Sequence, residues 1–283
     1  MRVYEIPEGT KVSKGRALQN LINIEQDDKV KAFICTQDLK DEEYINSHYV
    51  IMATKKGQVK KTLLEQYSRP RTNGINAITI KDDDELLEAK LTNGESQVMI
   101  ALKSGKAIRF EEAKTRPMGR GASGVRGVRL QNENDEAIGM IAVNDMESDI
   151  LVVSENGYGK RSSLEDYRIT NRGGKGVKTI SITEKTGDLV AIKNVNDDDD
   201  LMIINKSGIA IRLAVENLRV MGRATQGVKL INLKAKDSIA AVAKVIHEEE
   251  VELDEDNSES ETENSDSQND EAASTEDSSE LNN

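Results

Sequence analysis

Cysteine occurs once in these 283 residues, as Cys35, and histidine twice, as His48 and His247. A single thiol makes no intrachain disulfide and no cysteine-based metal site. Two histidines that are far apart, one of them opening an acidic run, disfavour a histidine metal cluster and a Ser-His-Asp triad. Tryptophan is absent and aromatic residues make up 3% of the chain, too few for a base-stacking surface. No run approaches ~18 consecutive apolar residues, the length a helix needs to cross a bilayer. The opening residues Met1-Arg-Val-Tyr-Glu-Ile-Pro7 lack the apolar stretch of a signal peptide. An autonomous enzyme is therefore disfavoured, and a binding or scaffolding role is left.

The formal net charge of −12 hides a division. Residues 247–283 hold 16 of the 51 acidic side chains and no Lys or Arg. The remaining 246 residues carry 39 basic and 35 acidic side chains, a net of +4. A mildly basic body thus bears a strongly acidic tail. The tail is rich in Glu, Asp, Ser and Asn and poor in apolar residues, so it is expected to be disordered.

The body repeats itself. Four segments share an apolar run followed by a tight turn that ends in glycine: residues 49–57, 98–105, 150–157 and 201–208. The glycines Gly57, Gly105, Gly157 and Gly208 are 48, 52 and 51 residues apart. A second glycine follows each one, as Gly74, Gly124, Gly176 and Gly227, at offsets of 17, 19, 19 and 19. It opens an alternating segment such as Gly124-Val-Arg-Gly-Val-Arg-Leu130, the pattern of a half-buried strand. A fourth strand is expected over 86–91, 137–143, 189–195 and 239–245. One such unit of about 50 residues cannot bury its own apolar face, but units stacked around an axis can. The expected fold class is all-β: a β-pinwheel of propeller-like blades, each of four antiparallel strands, in an incomplete ring of about four and a half blades. The expected boundaries are a partial blade at 1–40, blades at 41–95, 96–147, 148–198 and 199–246, and the tail at 247–283. Residues 15–24 and 30–35 match the third and fourth strands of a unit whose opening hairpin is missing. Cys35 then falls in a core strand, His48 has no assigned role, and the acidic runs 82–85 and 197–200 read as hairpin turns.

Positive charge keeps phase with the repeat. The loops before the second glycines supply Arg69 and Arg71; Arg116 and Arg120; Arg168, Arg172 and Lys175; and Arg219 and Arg223. The segments after those glycines add Arg126, Lys178 and Lys229, and the hairpins add Lys55, Lys56, Lys60, Lys106, Arg109, Lys160, Arg161 and Arg212. If the units stack, equivalent loops share one rim and their charges form a curved stripe. Such a stripe complements a bent polyanion, with duplex DNA the obvious one, held through phosphates with little base readout. The glycines of Arg172-Gly173-Gly174-Lys175-Gly176 are expected to let backbone amides approach phosphate. A protein-interaction scaffold with an incidental basic rim is the alternative.

With these stretches in view, together with Met118-Gly-Arg-Gly-Ala-Ser-Gly-Val125, Gly157-Tyr-Gly-Lys-Arg161 and Met221-Gly-Arg-Ala-Thr-Gln-Gly-Val228, residues 1–246 resemble the C-terminal domain family of DNA gyrase A proteins. The resemblance implies an N-terminally truncated piece of a six-bladed pinwheel. It implies wrapping of double-stranded DNA on the basic edge, so that an ATP-dependent type II topoisomerase holoenzyme introduces negative supercoils in a bacterial, nucleoid-associated setting. The family's basic box, a Gln-Arg-Arg-Gly-Gly-Lys-Gly type heptad, lies in a first blade that this chain lacks, and Thr170–Gly176 is similar to a later, degenerate copy. The implied partners are DNA, the remainder of DNA gyrase A, and DNA gyrase B in an A2B2 assembly, with no membrane. ATP and Mg2+ are implied for gyrase B, and no cofactor for this chain. The family cleaves DNA with a tyrosine that follows arginine. None of Tyr4, Tyr44, Tyr49, Tyr67, Tyr158 and Tyr167 follows one, so no catalytic or metal-binding residue is expected here. The 16 tail carboxylates resemble a tethered competitor for a basic rim. Deleting 247–283 should tighten binding to duplex DNA at low ionic strength in a fluorescence titration; unchanged affinity would leave the tail without that role.

Overall fold

Val98, Met99, Ile100, Ala101 and Leu102 are all fully buried, which a strand with one wet face cannot achieve. Successive side chains of a strand point to opposite faces. Val98, Ile100 and Leu102 pack with Ile51, Ala53 and Val59 of the preceding repeat. Met99 and Ala101 pack with Ile150 and Val152 of the following one. The next repeat divides itself likewise, with Leu151 and Val153 set against Leu201 and Ile203. An unbroken apolar run is thus the sequence of a strand sandwiched between two sheets. It makes each repeat dependent on both its neighbours.

The computed structural model describes residues 2–10, 12–22, 24, 28–71, 73–234 and 237–246. The tail over 247–283, and with it the expectation of disorder, lies outside the described residues. Fifteen strands form four antiparallel sheets among the described residues. In the first sheet, β1 (Tyr49–Thr54) and β2 (Gln58–Leu63) form a hairpin and β3 (Leu86–Thr92) flanks β1. The second sheet repeats this with β4 (Gln97–Leu102), β5 (Lys106–Glu111) and, after the two-residue β6 (Val125–Arg126), β7 (Ala137–Val143). The third has β8 (Asp149–Ser154), β9 (Tyr158–Ser163) and, after β10 (Val177–Lys178), β11 (Leu189–Val195). The fourth has β12 (Asp199–Asn205), β13 (Ala210–Ala214) and, after β14 (Val228–Lys229), β15 (Ile239–Ile246). No helix among the described residues is long and apolar enough to cross a membrane.

The outermost strand of the first three sheets departs from expectation. It comes from the next repeat: β6 pairs with β2, β10 with β5, and β14 with β9. The second, third and fourth repeats therefore each contribute three strands to their own sheet and one to their predecessor's. The second glycine makes the exchange possible. Gly124 and Gly176 have φ of +86° and +71°. A Cβ on either would lie 2.5 Å from a backbone oxygen, that of Val59 or of Ala107. Gly74, with φ +75°, has nothing within 4 Å of that position. No strand precedes β1 among the described residues, so there is no earlier hairpin for this segment to join, and residues 75–80 form no strand. The fourth sheet alone has three strands, with no strand among the described residues paired on the outer edge of β13.

Residues 15–24 and 30–35, expected as strands, form none; the described part contains one 3-10 turn, Leu18–Asn20. With no hairpin to pair with, Ala32 and Ile34 instead lie as irregular chain against Val50 and Met52. Cys35, expected in the core, is exposed for the same reason. A short helix, α1 (Glu42–Ser47), precedes the first sheet. Asp41 caps it by accepting from the amides of Glu43 and Tyr44 at 3.0 and 3.1 Å.

The seam glycines yield a paired test. Gly74→Ala should cost the left-handed strain alone, about 1–2 kcal/mol. Gly176→Ala should cost that plus about 1–3 kcal/mol for forcing a backbone contact apart. Urea denaturation midpoints measure the difference, and equal losses would remove the exchange seam as the reason for glycine there.

Candidate nucleic-acid interface

The cations of the hairpins divide into an inner and an outer set. Lys61, Arg109, Arg161 and Arg212 each stand four residues after the first glycine of a repeat. The first three are buried and reach the following repeat. Lys61 Nζ lies 2.9 Å from Glu112 Oε1. Arg109 Nη1 donates to the carbonyls of Leu164 and Tyr167 at 2.6 and 3.0 Å. Arg161 donates to Val215 O at 3.3 Å and pairs with Asp149 and Asp197, each at 2.5 Å. Arg212, at the last sheet, pairs with Asp200 at 2.5 Å, and its side chain is half exposed. An unpaired charge in these positions would cost several kcal/mol, so each is held by oxygen atoms.

Lys60 and Lys160 are also buried, one residue earlier in the repeat. Lys60 donates to Ala77 O at 2.6 Å and to Arg120 O, and Lys160 to Gly222 O at 2.6 Å. Burial depresses both ammonium groups to about 8; nearby Arg120 contributes at Lys60 and Arg223 at Lys160, where Asp166 partly opposes the shift. Lys60, Arg109, Lys160 and Arg161 are expected from sequence on the DNA-binding surface. The structure instead spends their charges inside, pinning blades and loops together. Among the other hairpin lysines, Lys55 lies 3.3 Å from Glu85 and Lys106 donates to Gln131 at 2.6 Å, while Lys56 is exposed.

The outer set becomes ordered when the repeats are aligned on the second glycine. Eight residues before it stand Arg116, Arg168 and Arg219; four before it, Arg120, Arg172 and Arg223; two after it, Arg126, Lys178 and Lys229. The sequence contains this register, but taking the cations loop by loop conceals it. The first and third of these rows are exposed and the middle row is half-buried. In the first repeat the same positions hold Gln66, Pro70 and Asn76, and the exposed Arg69 and Arg71 fall to either side of the middle one.

Strand exchange places these rows on the outer edge of the sheets. Arg126, Lys178 and Lys229 lie on the outermost strands themselves. Each loop leading to them runs beside the preceding hairpin, bridging Pro117 to Lys61, Ile169 to Arg109 and Val220 to Arg161. Successive edges are also tied to one another. The loop of the third repeat docks on the edge segment of the second: Gly173 N donates to Gly127 O at 2.6 Å and Arg129 N to Gly174 O at 2.8 Å. Ser181 N donates to Thr225 O at 3.0 Å at the next junction, and Thr79 N to Ala122 O at 3.3 Å at the previous one. The stripe inferred from sequence is thus a run of edges joined by backbone hydrogen bonds.

The Arg172-Gly-Gly-Lys-Gly176 segment differs from expectation in one respect. The Gly173 amide is already used by Gly127 O, so it is not free for phosphate. Gly176 serves strand exchange, as described above, and Gly174 makes a backbone bond to Arg129. Lys175 is exposed and is the group in this segment that faces solvent as a cation. The acidic run 82–85 lies at a turn, as do Asp197 and Asp198, whereas Asp199 and Asp200, expected in a turn, are buried at the start of β12; no group of three or more His, Cys, Asp or Glu stands in metal-binding arrangement among the described residues.

Comparison with known proteins agrees with this geometry. A family model described as "DNA gyrase C-terminal domain, beta-propeller" matches residues 1–37, 48–93, 98–144, 148–196 and 199–246. The DNA gyrase A protein of Staphylococcus aureus strain NCTC 8325 is 42% identical over 257 residues, covering 90% of this chain and 28% of that protein. Its Staphylococcus epidermidis counterpart is 42% identical over 251 residues, with coverage of 88% and 28%. The chain therefore spans little more than a quarter of the length of these relatives. A solved gyrase A C-terminal domain superposes with a TM-score of 0.74 at 25% identity, over 87% of this chain and 78% of that one. The C-terminal domain of DNA topoisomerase IV gives 0.75 at 23% identity over 82% and 71%, a likeness of fold.

The buried lysines set a pH dependence. A folded-state value of about 8 for Lys160 lies below the ordinary value of 10.5. Between those limits the unfolded chain binds more protons, so this lysine adds stability as pH rises through that window and detracts below it. Thermal or urea unfolding from pH 7.5 to 9.5 should show a rise for the native chain that Lys160→Met reduces. Parallel pH profiles would contradict the buried, depressed amine.

Proposed function

Because the chain belongs to the DNA gyrase C-terminal domain family, the DNA-wrapping module of gyrase A, we propose that it binds duplex DNA along the exposed outer edges of its sheets and bends it. The observation that carries this reading is the register of Arg126, Lys178 and Lys229, which recur on successive outermost strands with solvent-facing side chains. Arg116, Arg168, Arg219 and Lys175 add exposed charge along the same loops. Contact is with phosphates, because Lys and Arg on an edge offer charge and donors but no shaped surface for a base edge. Sequence preference then follows from how readily a given duplex bends.

In the wider setting we assign the chain to a gyrase-type assembly with the rest of gyrase A and with gyrase B. ATP hydrolysis, magnesium-dependent strand cleavage and the resulting negative supercoiling belong to those other parts. The chain's share is to present a curved duplex to them, in the bacterial cytoplasm and on the nucleoid.

Binding should weaken steeply with salt, since each neutralised phosphate releases counterions with a log–log slope of about −0.9. The triple variant Arg126→Ala, Lys178→Ala, Lys229→Ala should flatten the slope by about 0.9 per removed cation. It should weaken binding to unrelated sequences alike. Fluorescence anisotropy over a salt series measures both, and an unaltered slope, or no binding at low salt, would overturn the reading.

A further inference from the structure

Arg120, Arg172 and Arg223 share a register, four residues before the second glycine, yet they are half-buried where the rows on either side are exposed. Two of them show why. Arg172 Nη1 donates to Arg126 O at 3.1 Å, and its Nε donates to Lys114 O at 3.0 Å. Arg223 Nη1 donates to Lys178 O at 2.8 Å. The accepting residues Arg126 and Lys178 are themselves equivalent: each is the outward cation of the preceding repeat's donated strand. A guanidinium of one edge therefore grips the backbone of the neighbouring edge at the residue whose side chain faces solvent.

The geometry points to a positioning role: we propose that Arg172 and Arg223 set the angular step between successive cationic edges, and hence the curvature imposed on DNA, without acting as phosphate contacts. The proposal rests on the DNA-wrapping reading above. Three features support it. The planar fork can donate from two nitrogens in fixed directions, as Arg172 does to Lys114 O and Arg126 O, whereas a lysine is a point charge on a flexible stem. The clamp joins two separate sheet edges; Gly173 N to Gly127 O, Arg129 N to Gly174 O and Gln131 Nε2 to Lys175 O also tie the first junction, and Ser181 N to Thr225 O the second. The bonded atom is the carbonyl of the contact residue itself, so a shift of the clamp moves that residue's Cα and its cation together.

A phosphate contact and a clamp respond differently to substitution, and three measurements on the full chain separate them. The first is the salt slope of DNA affinity. The double variant Arg172→Lys, Arg223→Lys keeps its charge and should keep the native slope, and Arg172→Ala, Arg223→Ala should change it by less than half of one contact. If the slope of the alanine variant falls by two contacts, both arginines bind phosphate and the proposal is lost. The second is bending, read as energy transfer between dyes at the ends of a duplex. Both variants should lose about half of the native bend or more, with lysine failing to rescue; native bending by the lysine variant overturns the proposal. The third needs no DNA. Spin labels at Arg126→Cys and Lys178→Cys, in a Cys35→Ser background, should show a broadened distance distribution once Arg172→Lys is added. An unchanged distribution would show that the clamp does not set the step. If the native chain does not bind DNA at all, the parent reading falls and this role with it; if it binds with a steep slope while the variants bend DNA normally, this role alone falls.

Discussion

Everything in this molecule depends on one close approach between backbones. The glycine that opens each donated strand lies where any side chain would collide with a carbonyl of the preceding hairpin, Val59 O at Gly124 and Ala107 O at Gly176. The approach lets a two-residue strand complete a neighbour's sheet, and the same connection lays the loop before it along that neighbour's edge. Without the exchange, sheets would still stack through their apolar faces, but the loops would be free to wander. With it, the position of each loop is fixed by hydrogen bonds to a different repeat, and a property of sequence phase becomes a property of space.

That constraint explains how the cations are sorted. In the first three repeats a basic side chain that follows a hairpin turn by three or four residues is buried, where desolvation would be prohibitive for a bare charge. Each is held by carboxylates, carbonyls or both, as Arg161 is by Asp149, Asp197 and Val215 O. The nine cations in register with the second glycine lie on the outer side of the exchange, where water remains. Coulombic attraction between exposed charges and a polyanion is screened over roughly 10 Å at ordinary ionic strength, so only cations fixed near the duplex contribute strongly. The rows before and after the glycine meet this condition, whereas buried ones such as Lys160 do not.

How far this was legible in the sequence follows from the same geometry. The apolar runs at 98–102 and 150–153, the glycine spacing and the fourth strands at 137–143 and 189–195 declared stacked sheets, because burial on two faces leaves an unbroken hydrophobic signature. Donation of the outer strand could not be read. A segment such as Gly124-Val-Arg-Gly-Val has the alternation of a strand whichever sheet it joins, since local pattern states that an edge is covered and not by whom. For the same reason residues 75–80 look like a strand yet form none: the partner is the missing ingredient, not the propensity. The basic rim was read as a whole but not in its parts. Arg109 and Arg126 are alike in composition and neighbours, and only the fold makes one an internal tie and the other a surface charge. The clue available beforehand was register, with Arg120, Arg172 and Arg223 in one row and Arg126, Lys178 and Lys229 in another.

The register also bears on where a duplex would be held most strongly. The first repeat has Gln66, Pro70 and Asn76 at the three cationic positions, and its Arg69 and Arg71 lie on a loop that leads to no donated strand among the described residues. Charge there is present but out of register with the later rows. From the second repeat onward, each edge combines a hydrogen-bonded backbone with two exposed cations and one that is half-buried. A rigid track favours a bent duplex because the ordering cost is met during folding and not on binding. Flexible lysines of equal number would neutralise as many phosphates but would follow the DNA's own shape, giving adhesion without curvature. Under the proposed function, backbone seams would make the protein the stiffer partner, and stiffness at the edges would convert phosphate attraction into bending.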